Sequence, residues 1–174
     1  MHQTTAQKIT TGGIIAALYI VLTMISHALG LAGGQIQLRL SEALCVLPVF
    51  TGAAVPGLFV GCLLANILTG AALPDILFGS LATLAAAYLS FALSRTPKNN
   101  AALALSATLP AIVVNSLVIP FVLTYVYGLK PLLLNFATVS AGEILSAGVL
   151  GFLLFHSLRK SAAFSRLGGF GPRN

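Results

Sequence analysis

Apolar runs follow one another from Ile9 to His156, and they leave few folds open to this chain. Hydrophobic residues make up 57% of the 174 and charged residues 7%, where water-soluble domains carry roughly 25% charged residues. A spanning helix needs about 20 apolar residues. Candidate spans fall at 9–29, 41–54, 56–71, 75–94, 101–127 and 132–157. The expected fold is therefore an all-α integral membrane protein, a bundle of six transmembrane helices forming one domain over 1–174 with a basic tail at 158–174. The second and third runs are short and require tilt, bending or a locally thinned bilayer. Pro56 suits the opening turn of the third, where a missing N–H costs nothing. The runs are continuous rather than alternating, which argues against a membrane barrel.

The net charge of +6 is distributed by topology. With six helices, Lys8, Arg95, Lys98, Arg159, Lys160, Arg166 and Arg173 fall on one side, and Arg39 and Lys130 on the other. That bias places both termini in the cytoplasm of a multi-pass cell-membrane protein. The basic tail reads as a topology and headgroup anchor, not a nucleic-acid patch, because its charges are few and dispersed. The first apolar run is long and its charged flank thin, so a retained helix is expected in place of a cleaved signal peptide. Cys45 and Cys62 sit in apolar stretches without metal or disulfide spacing and read as packing residues.

Function then falls to the few polar groups. The three carboxylates are Glu42, Asp75 and Glu143; an acid in or beside a span is costly and marks a functional site by default. The topology places Glu42, Asn66 and Asp75 near the outer ends of their helices. Asn115 and Glu143 lie some ten residues below theirs, about 15 Å down. All share the outer half of the bilayer, as a pocket opening outward requires. The loop before Glu42 begins with glycines and continues Gln35-Ile-Gln-Leu-Arg39, an extended segment with one polar and one apolar edge that suits a lid. Structural alternatives stand beside this reading: the loop suits a plain connector with a snorkelling Arg39, and Asn66 and Asn115 suit interhelical glue. Asp75 suits a cap for the fourth helix, and Glu143 suits a fixed interhelical bond with Asn115 or Ser146. Arg39 and Lys130 are the nearest cations to Glu143, and neither has an evident route to that depth.

Enzyme chemistry finds little support. The sequence carries no phosphate-binding glycine loop followed by Lys-Ser/Thr, so ATP hydrolysis is not expected of it. It has no His-Glu-x-x-His zinc motif and no Gly-x-Ser-x-Gly elbow. The expectation is a non-enzyme without cofactor or metal. On the first helix Gly13 and Ala17 form a small-xxx-small pair, which suits either packing inside the bundle or docking to a second membrane protein.

The segments Ile36-Gln-Leu-Arg-Leu-Ser-Glu-Ala-Leu44, Pro56-Gly-Leu-Phe-Val-Gly-Cys-Leu-Leu-Ala-Asn66 and Asp75-Ile-Leu-Phe-Gly-Ser-Leu-Ala-Thr83 resemble the queuosine precursor transporter (QueT) family. Ala17-Leu-Tyr-Ile-Val-Leu-Thr23 and Gly142-Glu143 fit the same pattern, and the likeness covers roughly residues 8–158. The resemblance implies a substrate-capturing S-component of an energy-coupling factor (ECF) transporter, partnered by a transmembrane T-component and two ATPase subunits. It implies a 7-deazapurine ligand such as preQ1, preQ0 or queuine, and docking to the T-component through Gly13 and Ala17. The residues expected at the substrate are Arg39, Glu42, Asn66, Asp75, Asn115 and Glu143. One of Glu42 and Glu143 would accept the paired N–H donors of the ring and the other an aminomethyl cation. Phe59 or Tyr19 would pack on the ring faces. The alternatives are an S-component for another vitamin-like compound, a membrane scaffold whose polar residues join helices, and, more remotely, an intramembrane enzyme using Glu143 and Asp75.

Overall fold

A computed structural model describes residues 4–32, 37–96 and 99–160. Gln35, Lys98, Arg166 and Arg173, part of the glycine-rich loop and most of the basic tail lie outside the described residues. Six helical stretches follow one another, and no strand occurs among the described residues. They are α1 (Thr5–Ala28), a 3-10 segment (Leu40–Val49), α2 (Ala54–Leu68), α3 (Leu73–Ser94), α4 (Asn100–Tyr125) and α5 (Leu132–Lys160). The four long helices α1, α3, α4 and α5 are each apolar enough to cross a membrane.

Their ends follow from local chemistry. Thr4 and Gln7 form a reciprocal capping box on α1, and the Asn99 side chain accepts from the Ala102 N–H on α4, satisfying donors that a helix start leaves unpaired. Gly30, Gly70 and Gly128 follow α1, α2 and α4 with positive φ, the left-handed conformation that ends a helix and that glycine adopts without a Cβ clash.

The second apolar run departs from expectation. Instead of a tilted span over 41–54 it is a tightly wound segment that ends at Val49, and every residue from Ser41 to Val49 is buried. It touches all the other helices and so forms the axis of the bundle instead of a lipid-facing wall. Pro48 within it removes one backbone donor. At about 2 Å per residue the segment is about 20 Å long, and α2, at 1.5 Å per residue, is about 22 Å. Both fall short of the hydrocarbon core.

α1 supplies the counterpart of this axis. Its buried face runs Ile15, Ala16, Tyr19, Thr23 and Ser26, and the last three hold the start of the 3-10 segment in register. Ser26 accepts from the Leu40 N–H at 2.9 Å, Thr23 donates to Ser41 at 2.8 Å, and Tyr19 donates to Glu42. α1 also lies tightly on α2. A Cβ on Gly57 would stand 2.6 Å from the Gly12 carbonyl oxygen, and one on Gly61 would stand 2.8 Å from the Tyr19 Cβ. The small residues of α1 therefore divide by face. Gly12 and Ala16 meet α2, whereas Gly13 and Ala17 are exposed.

α5 changes winding midway, with π geometry over Ile144–Leu150. Its buried residues include Asn135, Val139, Glu143, Ala147, Gly151 and Phe155, one in every four. An α-helix drifts about 40° per four residues, or about 120° from Glu143 to Phe155. The wider π turn cancels that drift, so Glu143 and Phe155 both face the axis.

Gly57→Val should lower the thermal unfolding midpoint by several degrees, since overpacking costs about 1–3 kcal/mol and its obstacle is backbone. Gly13→Ala, with open space at its Cβ, should change stability by less than about 0.5 kcal/mol. Thermal melts of the detergent-purified variants compare the two.

Candidate functional site

The site is built around Glu42, which the 3-10 segment carries into the core, 2% exposed. Oε1 accepts from the Tyr19 hydroxyl. Oε2 accepts from Asn115 Nδ2 at 3.1 Å and from Cys45 Sγ at 3.2 Å. The same Asn115 nitrogen donates to Glu143 Oε1 at 3.1 Å. One amide group from α4 thus joins two carboxylates, one on the axis and one on α5. Those two Nδ2 bonds fix the amide orientation, because the flipped amide would set its oxygen against two acceptors.

Two atoms of this cluster have no donor. Glu143 Oε2 and Asn115 Oδ1 are buried without a hydrogen-bond partner. Native buried polar atoms are nearly always satisfied, so an orphan acceptor marks a place where something else supplies a donor. Both residues line a narrow cavity, with room for little more than a water molecule, together with Gln37, Arg39, Glu42, Gly79 and Thr83. Ile119 and Val139 form its apolar wall. The space is narrow. The strap Gln37–Arg39 lies over it, with the Gln37 carbonyl packed so closely on α5 that a Cβ on Gly142 would stand 2.0 Å from it.

A second polar layer adjoins the cavity. Arg39 Nη1 donates to Asn66 Oδ1 at 3.3 Å, Asn66 Nδ2 reaches Cys62 Sγ at 3.6 Å, and Thr83 donates to the same sulfur at 3.3 Å. Asp75 is 6% exposed and accepts from the Tyr127 hydroxyl at 2.9 Å, while that hydroxyl accepts from the Ala72 N–H at 3.0 Å. Partial burial raises the Tyr127 pKa; the Ala72 N–H opposes the rise and the Asp75 charge reinforces it. Tyr127 therefore remains a neutral donor at pH 7. Gly79 separates this layer from the cavity, since a Cβ there would lie 3.2 Å from Asn66 Nδ2 and 3.4 Å from Asp75 Oδ1.

Of the expected site residues, Arg39, Glu42, Asn115 and Glu143 come together in the cavity wall, and Asn66 and Asp75 stand behind Gly79. Several expectations need correction. Arg39 does reach the cavity that Glu143 lines, because the strap folds inward over Gly142. No side-chain cap bond starts α3, and Asp75 is instead held by Tyr127. The Tyr19 hydroxyl is taken up by Glu42, and neither Tyr19 nor Phe59 lines the cavity. The expected Asn115–Glu143 bond is present but uses only one oxygen of the acid. Thr83, Gly79, Ile119 and Val139 were not anticipated. Thr83 and Gly79 share a face of α3 at four-residue spacing with Asp75, the one signal that pointed to them.

A model of the family described as QueT transporter matches residues 9–160. The chain belongs to the QueT transporter family. It is accordingly a membrane transport protein and not an enzyme, in keeping with its apolar helices. Neither the curated proteins nor the solved structures contain a match to it.

Tyr19→Phe leaves Glu42 one donor short in a buried setting. It should destabilise the folded protein by about 1–3 kcal/mol, read as a lowered unfolding midpoint. Cys45→Ala removes a weaker donor and should cost less.

Proposed function

We propose that this QueT-family chain is the substrate-capturing S-component of an ECF transporter, and that it binds a queuosine precursor of 7-deazapurine type from outside the cell. The observation that carries the proposal is the pair of orphan acceptors, Glu143 Oε2 and Asn115 Oδ1, in a cavity bordered by an arginine and a second acid. A deazaguanine edge offers adjacent N–H donors, which a carboxylate accepts as a pair. Its carbonyl and ring nitrogen call for donors, a role that suits Arg39. Ile119 and Val139 suit the ring faces. Asn66 and Asp75 act from behind, fixing Arg39 and the outer end of α3.

The chain serves as one membrane domain with six spans, the axis segment being a short span shielded by the rest and α2 a short span with one exposed apolar face, and with both termini in the cytoplasm. The described charges support this orientation. Lys8, Arg95, Arg159 and Lys160 stand at one end of the helices, where Arg159 donates to Asn100 at 2.6 Å, and Arg39 and Lys130 belong to the connections at the other. Having no phosphate loop, the chain depends on separate ATPase subunits, reached through a T-component that docks on the exposed Gly13 and Ala17 of α1.

Thermal-shift titration of the purified protein tests the ligand class. Deazapurines should raise the unfolding midpoint in a concentration-dependent way, while guanine, riboflavin, thiamine and biotin should not. A shift with another vitamin alone would redirect the substrate assignment, and silence across the panel from folded protein would favour a scaffold. Gly13→Leu with Ala17→Leu separates capture from transport. Cellular uptake should fall at least about tenfold, a loss of about 1.4 kcal/mol or more in docking, while the ligand-induced shift persists.

A further inference from the structure

We infer that the π turn of α5 is the release switch of the site. Its passage outward along the helix, past Glu143, turns the acid out of the cavity and lifts the strap in the same motion. The inference rests on the ligand-capture reading above and adds how the captured ligand is let go.

A π turn carries about one residue more than an α turn. That residue can be passed from one turn to the next without moving the chain at either end. Here the wider winding closes with the Gly151 N–H reaching the Ser146 carbonyl, five residues back. The sequence Ile144-Leu-Ser-Ala-Gly-Val-Leu-Gly151 does little to hold it in place. Glycine, serine and β-branched residues are weak helix formers, so local preference opposes a change of winding only slightly. Ser146 gains by the change. It is 1% exposed and its hydroxyl has no partner. Regular winding offers it the Gly142 carbonyl one turn back, the kind of acceptor that Ser26, Ser80 and Ser157 use.

The anchors on either side decide which residues turn. On one side Phe155 is buried among Val46, Val49 and Ala107 with its ring against Phe50, and Arg159 donates to Asn100. On the other side Asn135 donates to Thr124 at 2.9 Å and to the Leu129 carbonyl at 2.7 Å, and Val139 is buried beside Ile119 and Leu123. Glu143 lies between them, held by one bond from an amide that it shares with Glu42. Passing the extra residue from below Glu143 to above it rotates the stretch between by about 100° and leaves both anchors in place.

That rotation acts on both walls of the site. Glu143 leaves Asn115. Gly142 leaves the Gln37 carbonyl, against which no Cβ fits. Its neighbours Ala141 and Glu143 both carry a Cβ, so whichever follows drives the strap away. Arg39 belongs to the same strap and goes with it. The cavity loses its acid and its guanidinium together, and a ligand that holds Glu143 keeps the turn where it is.

Backbone hydrogen exchange of the full chain in detergent, read by mass spectrometry, tests the switch first without a ligand. Amides of Ile144–Leu150 should exchange at least about tenfold faster than those of Ala82–Ala87 on α3. Equal rates would overturn the inference and leave ligand capture intact. Saturating 7-aminomethyl-7-deazaguanine should slow exchange in this segment and in the strap together, and slowing of the strap alone would overturn the inference. Removing Val149, which is 49% exposed, takes out the extra residue. Glu143 and Phe155 are then separated by about eleven positions, within about 20° of three whole α turns, and both face the axis with no π turn to move. The ligand should leave this variant at least about tenfold more slowly, and cellular uptake should fall. Unchanged or faster release from the folded variant would overturn the inference, since a merely damaged helix holds its ligand less well. Where the variant does not fold, exchange in the wild-type chain decides. If 7-aminomethyl-7-deazaguanine does not bind folded wild-type protein, the capture reading fails first and this inference with it.

Discussion

Three hydroxyls on one face of α1 make the rest of the site possible. A helix that starts inside an apolar bundle brings backbone donors with no water to meet them. Here the start of the 3-10 segment is met rung by rung. Ser26 takes the Leu40 N–H, Thr23 binds Ser41, and Tyr19 binds Glu42. The polar stripe that secures the backbone thus also delivers a carboxylate into the core. Without it, the segment would have an unsatisfied N–H at its start and an acid short of one donor two residues later, each a destabilisation of about 1–3 kcal/mol.

From that carboxylate the structure spreads outward through single shared groups. Asn115 links the axis to α5, Asn66 links the strap to α2, and Tyr127 links the end of α4 to the start of α3. Each is a neutral group bonded to at least one ionisable side chain. Such an arrangement holds helices together without burying a fixed ion pair, whose desolvation cost often exceeds its attraction. The close backbone contacts at Gly12, Gly57 and Gly61 supply the dispersion packing on which helix association in lipid relies.

The long spans were legible in the sequence because length and hydropathy alone identify them, and Asn99 and the glycines after α1, α2 and α4 mark their ends. The role of the second run was not. An apolar stretch reads alike whether lipid or protein surrounds it, and only its shortness, with Glu42, Cys45 and Pro48 inside, hinted at an interior position. The sequence left Glu143 two structural partners, Asn115 or Ser146, and the structure has the bond to Asn115. Arg39 was expected at the site, but its route toward Glu143 was not legible, because depth in a loop depends on how the strap folds over distant Gly142. Tyr19 was expected against a ligand, yet Thr23 and Ser26, four and seven residues on, already marked its face as one that binds backbone and side chains.

The winding of α5 has a further consequence. Over Ile144–Leu150 the chain covers the same angular ground as an α-helix with about one residue fewer, which is how Glu143 and Phe155 come to share a side. The helix therefore holds a single residue of slack directly beneath its acid. Ordinary winding is available to it only if one end rotates: either Glu143 turns away from Asn115, or Phe155 turns out of the packing it makes with Phe50. The hydrogen bond at one end and the ring contact at the other act as two stops on a coiled spring, and releasing either one frees that end to turn.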